Sequence, residues 1–252
     1  MAVTLRHYWA ASRAPRYSVL FAAPLLLLYE GFAFALTGSE TAGVRNGADV
    51  LLKTAFLALG GPHGVAVFNV TLVVVGGLLV WRDARRHPGR LDLRIFGGML
   101  LEALVYAALL GGVVARLTTL LLHPHLATAA TMQTPPAAGI ARLSLTQQLV
   151  ISLGAGIYEE LVFRVLLISG FVAAGLAIGL RRPAAVALAV VLSALIFSAF
   201  HYVGAFGDTW SLASFTFRAI AGLLLSGLYV WRGFGITAWA HALYDVGFAL
   251  LT

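Results

Sequence analysis

Gly154-Ala-Gly-Ile-Tyr-Glu-Glu-Leu-Val-Phe-Arg164 sets Glu159, Glu160 and Arg164 inside a stretch otherwise apolar enough to lie in a membrane. An ionisable side chain at bilayer depth costs at least ~2.5 kcal/mol even on lenient insertion scales, so it persists where it faces protein or trapped water. Three such groups together mark a candidate site. On a helix, Glu160 and Arg164 lie four residues apart and share a face, where they neutralise each other, while Glu159 points about 100° away. We read the pair as structural and Glu159 as the carboxylate available for chemistry. The competing reading is that all three pin one helix to its neighbours.

The surrounding composition sets the class. Of 252 residues, 60% are hydrophobic and 11% charged, and the mean hydropathy is +0.92; soluble domains carry about a quarter charged residues. The expectation is an all-α, polytopic, multi-pass membrane protein in contact with lipid and placed in the plasma membrane. Its formal net charge of +7 comes from Arg gathered between apolar runs, as in cytoplasmic loops, without the aromatic-interleaved patches of a nucleic-acid surface. No nucleic-acid partner is implied. With no cysteine in the chain, any nucleophile or metal ligand must come from Ser, His, Asp, Glu or water.

Taken in order, residues 1–16 carry Arg6, Arg13 and Arg16 around Tyr8 and Trp9, an interfacial lead-in to a span over 17–37. Ala33-Phe34-Ala35 resembles a signal-peptidase site, but Pro24 and Glu30 interrupt the run and more spans follow, so the segment is kept as a span. Ala48 to Leu59 is too short to cross and is expected in the interface before the Gly60-Gly61-Pro62 break. Val65 to Trp81 spans next, followed by the basic loop with Arg82, Arg85, Arg86, Arg90 and Arg94. Ile95 to Leu122 spans again, with Glu102 and Arg116 expected near its ends. His123-Pro-His125 sits in an apparent loop without a nearby carboxylate and is not read as a metal pair.

Residues 1–144 form an N-terminal transmembrane region, and 145–252 a four-segment core holding every strong motif. From Leu145 the chain runs apolar to Leu180, about 54 Å as one helix against a ~30 Å hydrocarbon core, so a break or tilt is expected, with Gly154 and Gly156 the irregular point. Ala184 to Phe200, Ser214 to Trp231 and Ile236 to Leu251 complete about seven spans. Trp210, Phe215, Phe217 and Trp231 read as interfacial anchors and core packing, and Arg218 as a side chain that snorkels or meets a substrate carboxylate.

Two further polar groups stand out: Phe197-Ser-Ala-Phe-His201 and His241-Ala-Leu-Tyr-Asp245. His241 and Asp245 share a helical face. With Glu159 and His201 they are what intramembrane hydrolysis needs: a base, a partner for the water, and donors for a developing oxyanion. The ordered set Glu159-Glu160-Arg164, Phe197-His201, His241-Asp245 resembles the CAAX protease and bacteriocin-processing (CPBP, or Abi) family, whose members are type II CAAX prenyl endopeptidase-like intramembrane glutamic proteases, over roughly residues 145–252.

The resemblance implies an intramembrane endopeptidase, acting on a membrane-associated or lipidated protein or peptide, in peptide maturation or bacteriocin immunity. Glu159 and His201 would activate a water, His241 and Asp245 would stabilise the oxyanion, and Glu160, Arg164 and Phe197 would support the site, without a metal or cofactor. Asp245 stands where the prenyl-protein proteases carry Asn, and an ionised Asp cannot donate to an oxyanion. Either Asp245 is protonated, or it orients and charges His241. Depth poses a second question. Counted from the Arg181-Arg182 and Arg232 side, His201 lies about 30 Å away along its helix and His241 only about 15 Å.

Two other functions use the same residues: a zinc metallohydrolase with Glu159, His201 and His241 as ligands, and a non-catalytic membrane protein in which they line a binding cavity or ion path. Substrate sequence, prenyl recognition and oligomeric state are not encoded in any motif.

Overall fold

The computed structural model describes residues 4–37, 43–122, 143–204 and 207–251; His123-Pro-His125 lies outside them. Among the described residues the chain is helical throughout: α1 (Leu5–Ser12), α2 (Pro15–Thr37), α3 (Gly47–Gly60), a short turn of 3₁₀ helix, α4 (Gly64–Arg86), α5 (Leu93–Leu122), α6 (Leu145–Ala177), α7 (Arg182–Phe200), α8 (Leu212–Arg232) and α9 (Phe234–Leu251). Seven stretches are long and apolar enough to cross a membrane, so the chain is a polytopic all-α membrane protein. Leu, Val, Ile and Phe on the outward faces stay exposed, as they do where the surrounding solvent is hydrocarbon.

Local chemistry sets the boundaries. Ser144 opens α6 with a capping box, its hydroxyl accepting from Gln147 N while the Gln147 side chain accepts from Ser144 N. Pro183 occupies the first turn of α7, where its missing N–H is no loss. Gly233, at φ 84°, reverses the chain between α8 and α9, a backbone region in which only glycine rests without strain.

α3 doubles back on α4: the rings of Phe56 and Phe68 are 5.2 Å apart, whereas twelve residues of continuous helix would separate them by about 18 Å. It is polar inside and apolar outside. Asp49 and Lys53 are buried while Val50, Leu51 and Leu59 are exposed. The inward face is paid for by ion pairs: Arg45 Nη1 lies 2.8 Å from Asp49 and 3.3 Å from Glu30, and Lys53 Nζ lies 2.8 Å from Glu30 and 2.9 Å from Asp49. Tyr29 donates to Asp49 at 2.7 Å, and Tyr158 donates to Glu30. Two cations answer two carboxylates, so the cluster crosses into the apolar interior without net charge.

A second network closes the opposite end. Arg232 is fully buried, with Nε 2.5 Å from Glu102 Oε1 and Nη2 2.8 Å from Ser12 Oγ, and its guanidinium sits 3.9 Å over the Trp9 ring. Glu102 also accepts from Tyr8 and Tyr106. Arg232 therefore lies beneath α1 and not at the surface, and Glu102 is a partner inside the bundle.

α6 carries the break expected near Gly154 and Gly156 as a long stretch of π-helix, Ala155–Ile168. Such i→i+5 segments recur at functional sites because they redirect side chains that a regular helix would stagger. Gly156 presses this stretch onto α9: a Cβ there would stand 2.5 Å from the Ala238 carbonyl oxygen and 2.5 Å from Ala242 Cβ. We expect Gly156→Ala to force the two helices apart and cost roughly 1–3 kcal/mol, the usual range for overpacking, read as a lower unfolding temperature of the detergent-solubilised protein.

Candidate active site

The π-helical turn of α6 buries Glu159, Glu160 and Arg164 together. Glu160 and Arg164 pair as their spacing requires, at 3.0 Å between Oε1 and Nη1. The contact lacks hydrogen-bond alignment, and Arg164 gains a second hold by lying 4.4 Å over the Phe197 ring, a cation–π contact of the kind that strengthens when desolvated. Glu160 Oε1 also receives His241 Nδ1 at 2.7 Å. A single carboxylate oxygen thus ties α6 to α9.

Phe197 is the hub between the two histidines. Its ring centroid is 4.8 Å from that of His201 and 6.0 Å from that of His241. His201 follows the last residue of α7, and its Nδ1 lies 2.8 Å from the Phe197 carbonyl oxygen. A carbonyl only accepts, so Nδ1 carries the proton and the neutral ring presents Nε2 as an acceptor. His241 is held from both sides, by Glu160 at Nδ1 and by Asp245 Oδ2 at 3.5 Å from Nε2. Asp245 is the least enclosed of the set, its side chain 30% exposed.

Glu159 points away from the Glu160–Arg164 pair, as the helical spacing predicts, and lies within electrostatic reach of both His201 and His241. One oxygen, Oε1, accepts 2.8 Å from Asn46 Nδ2. The other, Oε2, is buried and accepts no hydrogen bond from the described residues. The structure thus brings Glu159, His201, His241 and Asp245 to one place, with Glu160, Arg164 and Phe197 between them. It adds Asn46, which no motif pointed to. A signal for its helix was present: Arg45, Asp49 and Lys53 recur every four residues with alternating sign, and Asn46, directly after Arg45, is an N-cap residue type.

The Nδ1 atoms of both histidines are engaged by protein, which leaves Nε2 as the nitrogen either could offer a ligand, and among the described residues no group of three His, Asp or Glu side chains could hold a metal ion. Arg218 pairs with Asp208, in the loop before α8, and donates to Ser214.

Residues 141–247 match the sequence model of the family described as type II CAAX prenyl endopeptidase Rce1-like. This part of the chain is similar to that family. The matched segment contains Glu159, His201, His241 and Asp245 and excludes Asn46. No curated protein and no solved structure matches the chain.

Because Glu160 loses a buried partner if Arg164 is shortened, Arg164→Leu is expected to destabilise the fold by about 3–5 kcal/mol. Reversible unfolding in mixed detergent checks this, with Arg164→Lys, which keeps the charge, expected to lose less.

Proposed function

We propose that the chain is a CAAX-type intramembrane endopeptidase that hydrolyses a peptide bond of a lipidated or membrane-associated protein through a water activated by Glu159 and His201. The observation that carries this reading is the asymmetry of Glu159: one oxygen is held, the other is buried and open, beside a histidine whose tautomer presents a lone pair.

A water between Glu159 Oε2 and His201 Nε2 gives its proton to the carboxylate as its oxygen attacks the peptide carbonyl. The carbonyl oxygen becomes an oxyanion, for which His241, as an imidazolium with a proton on each ring nitrogen, offers Nε2–H as the donor beside Asp245. When the C–N bond breaks, the proton taken up by Glu159 passes to the leaving amine. Glu160 and Arg164 keep the His241 ring in position through Nδ1. Asp245, opposite Nε2, orients the same ring, the second of the two roles its sequence allowed. No metal enters this scheme. A prenylated C-terminal peptide is the substrate class to which the family description leads.

The test uses purified protein in nanodiscs with a farnesylated fluorogenic peptide and its non-prenylated counterpart. Glu159→Gln is expected to lower kcat by roughly 10²–10⁴, the usual weight of general base catalysis, with a chelator making no difference. Loss of activity on chelation would instead support the zinc reading, and absence of cleavage of either peptide by the wild type would support a binding or transport protein. Asp245→Asn, which keeps an oxygen for His241 but drops the charge, is expected to lower kcat about tenfold, the scale of a lost charge-assisted contact of ~1.4 kcal/mol; unchanged kcat would assign Asp245 the protonated-donor role.

A further inference from the structure

We propose that Asn46, at the head of α3, is a positioning residue for Glu159, an inference that rests on the peptidase reading above. Asn46 belongs to the N-terminal region and lies outside the segment matched by the family model, yet it makes a buried side-chain hydrogen bond to Glu159, at 2.8 Å.

The direction of the Asn46 amide is set by its two partners. Its Oδ1 caps α3 by accepting from Ala48 N at 2.8 Å, and a backbone N–H can only donate. Its Nδ2 therefore faces Glu159, whose carboxylate can only accept when ionised. Both ends are satisfied, and a flip would break both.

The position of Asn46 is fixed just as closely. Its backbone N–H donates to Tyr29 at 3.2 Å, and Tyr29 donates in turn to Asp49. The ion pairs of Arg45, Asp49, Lys53 and Glu30 hold the first turns of α3 against α2. From the other side, Gly154 lets α6 come near: a Cβ at 154 would stand 2.6 Å from Asn46 Cβ and 2.5 Å from the Tyr29 ring. A buried polar scaffold and a required glycine thus converge on one hydrogen bond. Its effect is to restrain Glu159, directing Oε2 toward the reacting water instead of letting the carboxylate rotate.

Capping alone would also explain an asparagine here, and Asn46→Ser separates the two roles. Serine caps a helix as well as asparagine does but is too short to reach Glu159. We expect the Asn46→Ser protein to stay folded with a lower unfolding temperature, because Glu159 loses a buried partner, to keep KM for the farnesylated peptide, and to lose about 10- to 100-fold in kcat, the penalty for a slightly misplaced catalytic group. Placed on Glu159→Gln, the same substitution should cause no further loss, since the two residues act as a unit.

A stably folded Asn46→Ser with wild-type kcat, alongside an inactive Glu159→Gln, overturns this inference and leaves the peptidase reading standing. An active Glu159→Gln overturns both. If Asn46→Ser does not fold, Asn46→Asp keeps the cap and the shape while setting an acceptor against Glu159; it is expected to lose at least as much kcat, and wild-type kcat in it likewise overturns the proposal.

Discussion

A charge inside a bilayer has no water to fall back on when its geometry loosens, and this molecule places at least seven ionisable side chains under that constraint: Glu30, Asp49, Lys53, Glu159, Glu160, Arg164 and His241. The bundle is arranged around answering each of them. Glu160 meets Arg164 and His241 through one oxygen; Glu30 and Asp49 share Arg45 and Lys53; Arg232 takes Glu102 and the faces of Trp9 and Tyr8. Such groups stabilise little compared with well-packed hydrocarbon, but removing one partner strands the other. They therefore act as registers that permit only one docking of the helices.

The hydrophobic runs were legible because crossing a membrane demands continuous apolar length, and every expected span corresponds to a helix within a few residues. The Glu160–Arg164 and His241–Asp245 pairs were legible for a different reason: contacts four residues apart are a property of the helix itself. What local pattern cannot carry is a contact such as Asn46 to Glu159, 113 residues apart in the chain. The π-helical stretch of α6 was visible only as an expected irregularity, since apolar residues crowd every face there and do not distinguish i+4 from i+5 bonding. The contacts of Arg232 were not legible either, since the rings over its guanidinium, Tyr8 and Trp9, lie more than two hundred residues away in the chain.

The two halves of the site differ in kind. The Glu160 side is rigid by charge, with His241 held at both ring nitrogens. The Glu159 side is rigid by hydrogen bonds alone, and His201 is fixed by a backbone carbonyl one helical turn away. For the hydrolysis proposed above, the group that stabilises the oxyanion should already be in place before charge develops, whereas the group that takes and returns a proton must keep one oxygen available.

The shortness of α3 has a bearing on supply. Its 14 residues reach about 21 Å, against a hydrocarbon core of ~30 Å, so a helix anchored at one face stops roughly 10 Å short of the other. The hydrolysis proposed above would consume one solvent molecule per turnover, and a helix this short leaves about a third of the hydrocarbon thickness uncovered at this place.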